Sequence, residues 1–334
     1  MGVVTVWGSH NMSTIRYCKL RDTDVIISPK RLHRPTQFHT PTDHYDLDEC
    51  PFEVGNEDAT PTEIFSVKDK NGDWITRVVP NLYNALDIHE EKTSKREGFF
   101  TSKSAFGAHE VIIETPTHDK TADRYTLENW EAYLKTINHR LNDLSKDTRL
   151  EYIQVFKNHG SRAGATLRHP HSQIIATGFV PSEVKNELQR AKDYYKIHNR
   201  TLLSDIVHEE LRIGDRVIYE NNSFIAFAPF ASLYPFEVII APKEQIAAMT
   251  ELNLSGIHKL AQILKNVHKK LYATLGDFHY NMIFKNPPTI VESYTFYIQI
   301  IPRIYMIAGF ELASEMRINP VSPEVAAKKL KEAL

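Results

Sequence analysis

Two long segments of the chain carry apolar residues at the three- and four-residue spacing of a helix with one buried face. The first covers residues 126–145, where Thr126 and Asn129 provide the polar start that an N-terminal cap requires. The second covers residues 252–274. Two segments richer in charge predict further helices over residues 181–198 and 322–333.

Short apolar runs bounded by Pro, Asn or Gly predict the strands. The Asn-Gly pair inside residues 70–73 separates two such runs and marks a hairpin, whose second strand ends at residue 79. In chain order, the other strand-like runs cover residues 24–28, 111–113, 151–157, 216–220, 223–229, 237–242, 279–284 and 294–301.

The predicted elements occur twice in the same order, namely hairpin strands, a long helix and two more strands. The first copy lies within residues 13–198 and ends in a strand that carries His-Pro-His. The second lies within residues 199–334, and its last strand has no histidine. No low-complexity linker separates the halves. We therefore expect an α+β protein in which a degenerate internal duplication forms one continuous antiparallel sheet with flanking helices.

Composition limits the partners of the chain. The 334 residues are 42% hydrophobic and 25% charged, as in an ordinary globular protein, and the formal net charge is −2. Without a basic field over the whole chain, nucleic acid is not an expected partner. No apolar stretch is long enough to span a bilayer and the first residues are unlike a signal peptide, so no membrane association is expected. The only cysteines, Cys18 and Cys50, are too few for a disulfide framework and favour a reducing cytoplasm.

The densest candidate chemistry lies in residues 158–175, which read NHGSRAGATLRHPHSQII. Alternate residues of an extended chain point the same way, so His169 and His171 share one face. Pro170 between them restricts the backbone and withholds a hydrogen-bond donor. The pair is therefore a candidate for chemistry at phosphorus, with one imidazole as nucleophile or base.

The turn before the two histidines is rich in Gly, Ser and Thr. Gly160 and Gly164 allow its backbone to approach a ligand, while Ser161, Thr166 and free backbone N–H groups could form an anion nest. We call this Gly-, Ser- and Thr-rich turn the cradle. Two imidazoles that face it favour phosphoryl or nucleotidyl transfer. The alternative is a surface loop with chance histidines, which the cradle and the following Gln argue against.

Three weaker signals precede this segment. Arg31 and Arg34 lie in a basic loop bounded by prolines and could bind an anion, or they could simply be solvated. Cys50 and Glu53 are three apart on a turn, a spacing found in metal knuckles, although a buried Cys beside a solvated Glu is the ordinary outcome. Asn81 follows a strand and could contact a base or ribose, or could belong to an ordinary turn.

Taken together, these motifs resemble the galactose-1-phosphate uridylyltransferase family of the histidine-triad superfamily. The resemblance implies a histidine-triad-like, pseudo-duplicated antiparallel sheet, with a transferase half over 13–198 and a degenerate half over 199–334. Its matching pieces run in the family's order from about residue 28 to 325, and they are SPKRLHRP, CPFEVGNE, RVVPNLYNAL, HEVIIETPTH, NHGSRAGATLRHPHSQ, FAPFASLYPFEVIIAPK and AGFELASEMRINPVSPE.

The resemblance also implies a mechanism. His171 would attack the α-phosphorus of a nucleoside diphosphate sugar and expel a sugar 1-phosphate, and a second phosphate would attack the nucleotidyl-histidine in a ping-pong cycle. Gln173 would donate to a nonbridging phosphate oxygen, with the cradle in support. The resemblance further implies a homodimer. The positions that match the family's substrate-contacting residues are Arg31, Arg34, Asn56, Asn81, Asn158, Phe310, Glu311 and Arg317.

For metals, the resemblance implies one site. His118 and His169 match the family's zinc ligands, and a Cys-x-x-Cys turn supplies the other two, although here Glu53 replaces the second Cys of the turn that begins at Cys50. A four-coordinate structural zinc would then hold His169 and so orient His171. No second metal is expected, because the family's glutamate and three histidines correspond to Glu187, Lys285, Tyr297 and Gln299.

The sequence is compatible with three functions. The first is a UDP-glucose–hexose-1-phosphate uridylyltransferase. The second is a phosphorylase that acts on ADP-glucose or a dinucleoside polyphosphate, favoured by Phe310 and Arg317 where the galactose enzyme has Tyr and Gln, because an Arg suits an anionic acceptor such as inorganic phosphate. The third, of a different class, is a nucleotide-binding protein without catalysis, against which the intact His171 and Gln173 argue.

Overall fold

The structure is a computed structural model that describes residues 12–33 and 50–333. Six helices lie in this part of the chain: α1 (Leu127–Leu144), α2 (Ser182–His198), α3 (Leu202–Ile213), α4 (Leu254–Leu275), α5 (Gly309–Ser314) and α6 (Pro323–Glu332). The strands of the first half are β1 (Thr14–Cys18), β2 (Thr23–Ile27), β3 (Phe65–Lys68), β4 (Trp74–Pro80), β5 (Ser94–Glu97), β6 (Phe100–Lys103), β7 (Gly107–Ile113), β8 (Tyr152–His159) and β9 (His171–Thr177). Those of the second half are β10 (Val217–Glu220), β11 (Phe224–Phe227), β12 (Val238–Pro242), β13 (Tyr280–Lys285), β14 (Tyr297–Pro302) and β15 (Arg317–Asn319).

Ten strands form one antiparallel sheet in the order β10-β11-β12-β14-β13-β8-β9-β7-β4-β3. From the centre outward, each half contributes the first strand after its long helix and then the second. Three strands that precede the helix follow: β7, β4 and β3 in the first half, and β12, β11 and β10 in the second. The halves meet where β13 pairs with β8, with Tyr280 opposite His159 and Phe284 opposite Val155. The predicted α+β fold with one duplicated, continuous sheet is confirmed.

Helices α1 and α4 cover one face of this sheet. The predicted start of α1 is confirmed, because the Thr126 hydroxyl oxygen accepts the Asn129 N–H (3.1 Å) and the Asn129 side chain accepts the Thr126 N–H (3.2 Å). The apolar stripe of α1 is buried in the main core together with strand residues such as Ile112 and Ile174, both fully buried. Burial of this stripe holds the helix on the sheet, since helix propensity alone contributes little.

The opposite face of the sheet differs between the halves. In the second half, α2 and α3 cover it with a smaller apolar cluster that includes Leu203, Val207 and Phe227. In the first half, Val111 and Ile113 of β7 lie on this face among a few apolar side chains of the loops and of β4. Strand pairing places Gln173 opposite Val111 and His171 opposite Ile113, so both polar side chains share this face.

Strand β2 lies at the strand-like run predicted over residues 24–28, but the sheet that contains it and several other elements were not predicted from the pattern. Strands β1, β2 and β15 form a separate three-stranded sheet in which β2 pairs antiparallel with β1 and parallel with β15. The sequence analysis also missed helix α3, the exposed β5–β6 hairpin and the six-residue helix α5. Strand β15 has three residues, so its formation depends on the neighbouring strand rather than on its own sequence. Within the described ranges, the helices lack the combined length and apolar character that crossing a membrane requires.

Candidate active site

His171 is the first residue of β9, and the carbonyl oxygen of His169 sets its ring. The Nδ1 atom of His171 lies 2.8 Å from that carbonyl and must donate to it, so the proton of the neutral ring is on Nδ1. The Nε2 atom therefore keeps its lone pair. Burial lowers the pKa of His171 although the hydrogen bond to the carbonyl opposes this, and the nearby charge of Lys157 lowers it further. A neutral ring with a free nitrogen lone pair is what nucleophilic attack on phosphorus requires.

The ring of His169 carries its proton on the other nitrogen, Nε2. Its Nε2 donates to the carbonyl oxygen of Thr115 at 2.7 Å, which leaves the lone pair on Nδ1. That Nδ1 lies 3.7 Å from Cys50 Sγ and 3.7 Å from Glu53 Oε2. His169 is fully buried, and burial lowers its pKa to about 4, so the ring is neutral.

Cys50, Glu53, His118 and His169 thus form a cluster of four potential metal ligands, whose ligand atoms all lie within 4.8 Å of one another. His118 Nδ1 and Glu53 Oε2 are 3.2 Å apart. Metal–ligand bonds of the usual length in a tetrahedral site separate the ligand atoms by about 3.3–3.8 Å. The donor set and its spacing fit one metal ion. The sequence prediction that these residues come together is in agreement with this geometry.

Gln173 lies two residues beyond His171 on the same face. Its Oε1 is 2.8 Å from Nε2 of His109, a residue of β7, and the Asn81 Nδ2 atom is 3.1 Å from the same ring nitrogen. His109 was not among the residues singled out from the sequence. The sequence feature that could have identified it is its position two residues before Val111. Alternate residues of a strand lie on the same face, so His109 shares the face of Val111 and of the proposed catalytic side chains.

The cradle that precedes the histidines lies in the loop between β8 and β9 and contains a single 3-10 turn, Ser161–Ala163. Gly160 and Gly164 have φ values of 80° and 89°, which residues with a Cβ rarely adopt. A Cβ on Gly160 would lie 2.2 Å from the ring of His279, so the glycine accommodates a side chain of the second half. The backbone N–H groups of residues 162–165 already donate within the protein. Fewer backbone donors are therefore free for an anion than the sequence suggested.

A buried ion pair lies beneath β9. Lys157 Nζ is 2.8 Å from Glu114 Oε2, and the two side chains are 2% and 1% exposed. Ser172, between His171 and Gln173, donates its hydroxyl to the other oxygen of Glu114. Burial by itself would raise the pKa of Glu114, but the Lys157 charge and the hydrogen bonds outweigh it and hold that pKa below its usual value. The pair anchors the strand that carries both proposed catalytic side chains, and sequence analysis missed it.

The position that corresponds to a second metal in the family contains a lysine. Lys285 Nζ lies 2.8 Å from Glu187 Oε2, while Tyr294 and Tyr297 donate to Glu187 Oε1 at 2.7 and 3.0 Å. Burial by itself would raise the pKa of Glu187, but the Lys285 charge and the hydrogen bonds from Lys285 and the two tyrosines outweigh it, so the net shift is downward. The Glu187 carboxylate is therefore already neutralised by a cation of the chain itself.

The remaining predicted substrate contacts fall into two groups. Asn158, at the start of the cradle, accepts from Asn281 Nδ2 at 2.8 Å. Asn56 donates to the Cys50 carbonyl at 3.0 Å, in the turn that carries two of the potential metal ligands. Ser161 and Thr166 are exposed on the cradle itself.

The second group lies in the three-stranded sheet and in the segments next to its strands in the chain. Half-exposed Phe310 and buried Glu311 are in α5, and Arg317 begins β15 and donates to the Glu311 carbonyl at 2.9 Å. Arg31 donates to the Tyr305 hydroxyl at 3.3 Å. Arg34 lies outside the described residues.

A duplicated sheet that carries one neutral histidine with a free lone pair, beside a second histidine in a cluster of potential metal ligands, suits an enzyme of nucleotidyl transfer. Sequence models of the N-terminal and C-terminal domains of galactose-1-phosphate uridyl transferase match residues 5–181 and 187–334. The chain belongs to the galactose-1-phosphate uridylyltransferase family, which confirms the family predicted from the motifs.

Two relatives and one solved structure illustrate the similarity. The chain is 35% identical over 318 residues to an ADP-glucose phosphorylase of Arabidopsis thaliana, covering 92% of this chain and 89% of that protein. It is 29% identical over 334 residues to a galactose-1-phosphate uridylyltransferase of Thermotoga maritima, covering 96% and 98%. A crystal structure of an Arabidopsis thaliana ADP-glucose phosphorylase with bound ADP-glucose superposes with a TM-score of 0.83 at 30% identity, covering 97% of this chain and all of that one.

Proposed function

We propose that the protein transfers the nucleotidyl group of a nucleoside diphosphate sugar through a covalent bond to His171. Nε2 attacks the α-phosphorus, a P–N bond forms, and the P–O bond to the sugar 1-phosphate breaks. An oxygen of the acceptor phosphate then attacks the same phosphorus and the P–N bond breaks, which restores the neutral ring. The observation that carries this proposal is the 2.8 Å hydrogen bond from His171 Nδ1 to the His169 carbonyl, because it leaves Nε2 as the nucleophile.

The substrate we favour is ADP-glucose, with inorganic phosphate as the acceptor. The products are then ADP and glucose 1-phosphate, and the atoms balance. Two observations support this choice: 35% identity over most of the chain to an ADP-glucose phosphorylase, and an arginine at position 317, which suits an anionic acceptor. We further propose that Arg31 and Arg317 bind the sugar-phosphate end of the substrate in a homodimer.

The second candidate is uridylyl transfer from UDP-glucose to a hexose 1-phosphate. The 29% identity over nearly the whole chain to a galactose-1-phosphate uridylyltransferase supports it. The chemistry at His171 is the same in both cases, and only the base, the sugar and the acceptor differ.

The intact mass of the protein after mixing with a nucleotide sugar distinguishes these candidates. We expect ADP-glucose without phosphate to leave a protein heavier by one adenylyl group, and added phosphate to remove the label and release ADP. Labelling by UDP-glucose and its removal by a hexose 1-phosphate would favour uridylyl transfer instead. If neither sugar, nor a dinucleoside polyphosphate, labels the protein or is consumed, a nucleotide-binding function without catalysis replaces both.

We propose that the metal of the Cys50 cluster is zinc, held by the four residues described above. Bound zinc would supply no step of the reaction, since four protein ligands close its coordination, and would serve to hold His169 in place. The mixed sulfur, nitrogen and carboxylate donor set supports zinc over magnesium or calcium, which prefer oxygen ligands alone.

Removing one ligand should remove the metal. We expect about one zinc per wild-type chain by elemental analysis, loss of that zinc in Cys50→Ser, and a lower thermal midpoint, because an ion that binds only the folded protein stabilises it. The matched control is Cys18→Ser, since Cys18 is equally buried but lies outside the cluster. Equal zinc content in the two variants would reject this site.

A further inference from the structure

Three polar groups converge on the ring of His109, and one of them can act only as a donor. The backbone N–H of Ala85 points at Nδ1 of His109 from 3.1 Å. A backbone N–H never accepts, so Nδ1 must provide the lone pair. The proton of the neutral His109 ring is therefore on Nε2.

The other two groups compete for that Nε2. Gln173 Oε1 lies 2.8 Å away and Asn81 Nδ2 lies 3.1 Å away. The carboxamide of Asn81 is oriented independently, because its Oδ1 accepts the N–H of Tyr83 at 2.9 Å and so its nitrogen faces the ring. A protonated Nε2 can donate only to an oxygen. Its acceptor is Gln173 Oε1, and the N–H groups of Asn81 require an acceptor elsewhere.

We infer that His109 is a positioning residue that fixes the carboxamide of Gln173 with its oxygen toward β7 and its two N–H groups free for a phosphate oxygen. A carboxamide without such a partner can rotate by about 180° and present its oxygen to the phosphate. The carboxamide oxygen and the phosphate oxygen are both acceptors and would repel each other. Ala85 thus determines the tautomer of His109, and His109 in turn determines the orientation of Gln173. This inference rests on the proposed function, because it assigns Gln173 to the phosphate of the transferred nucleotide.

The kinetic test uses two substitutions of His109. His109→Phe keeps a planar ring without nitrogen, whereas His109→Gln can place an N–H donor near the original Nε2. We expect the nucleotidyl-His171 species to form about 100- to 1,000-fold more slowly in the Phe variant, the usual cost of losing one oriented donor to an oxyanion. The dissociation constant of the nucleotide sugar should change little, and His109→Gln should recover most of the rate.

A double substitution separates positioning from a general structural effect. Since His109 acts through Gln173, the Phe variant should slow the reaction little further when Gln173→Ala is already present. Full additivity of the two effects would overturn the inference, as would a wild-type rate in His109→Phe. Equal thermal midpoints of the single variants and the wild type confirm that each one folds.

A second measurement does not depend on activity. In protein labelled with ¹⁵N-histidine, the signals that disappear in His109→Gln report the tautomer of this ring. We expect a protonated Nε2 and an unprotonated Nδ1. The reverse tautomer overturns the inference, whether or not the protein reacts. Absence of any nucleotidyl adduct in the wild type would instead reject the proposed function, so the two failures are distinguishable.

Discussion

His171→Asn should lose at least about 10⁴-fold in turnover number while it still binds the nucleotide sugar. The Asn side chain can keep the hydrogen bond to the His169 carbonyl through its amide N–H, but it has no ring nitrogen with a lone pair at the Nε2 position. No covalent nucleotidyl intermediate can then form. Steady-state rates, the intact mass after mixing with substrate, and calorimetric binding of the nucleotide sugar measure the three parts of this result.

The matched control is His139→Asn. His139 is exposed on α1, where its ring stacks on Phe65 at 3.8 Å, and α1 covers the sheet face opposite His171. We expect this variant to keep nearly all of the wild-type activity. Turnover by His171→Asn within about tenfold of the wild type would exclude His171 as the nucleophile. A tenfold change corresponds to only about 1.4 kcal/mol of activation free energy, too little for the loss of a covalent intermediate.

Lys157→Met should lower the free energy of unfolding by about 3–5 kcal/mol, a large part of the roughly 5–15 kcal/mol that stabilises a folded domain. The substitution leaves the carboxylate of Glu114 ionised without its cation at a site where only 1% of the side chain is exposed. Glu114, which accepts the Ser172 hydroxyl, would also be held less firmly, so β9 would be less well anchored. Equilibrium unfolding in urea measures the loss, and we expect adduct formation at His171 to slow as well.

Two further variants test the cause of this loss. Lys157→Met combined with Glu114→Gln removes both charges and should recover a substantial part of the stability, because the larger cost is an unpaired buried charge. Lys92→Met breaks an exposed pair with Glu151, in which the side chains are 42% and 46% exposed, and should cost at most about 1 kcal/mol. Similar losses in Lys157→Met and Lys92→Met would show that the buried pair has no special role.

Much of the fold followed from local pattern. The capped, amphipathic α1 and α4, the Asn-Gly hairpin between β3 and β4, and the repeated order of elements led to a duplicated antiparallel sheet, which the structure confirms. Periodicity and capping involve neighbours in the chain, so they are visible in the sequence. The sheet of β1, β2 and β15 was missed because it joins the two ends of the chain through strands of three to five residues.

For the site, the sequence by itself determined the family and the set of potential metal ligands. His169 precedes β9, so strand alternation does not place it on the face of His171 as the sequence predicted. The tertiary structure alone decided that His171 Nδ1 faces a carbonyl, that Lys157 pairs with Glu114, and that His109 meets Gln173. The physical reason is that strand pairing, not local pattern, places β9 between β7 and β8, and so brings His109 and Gln173 together although they are 64 positions apart. Hydrogen bonds across that register then determine which ring nitrogen carries the proton, and the chemistry depends on that proton.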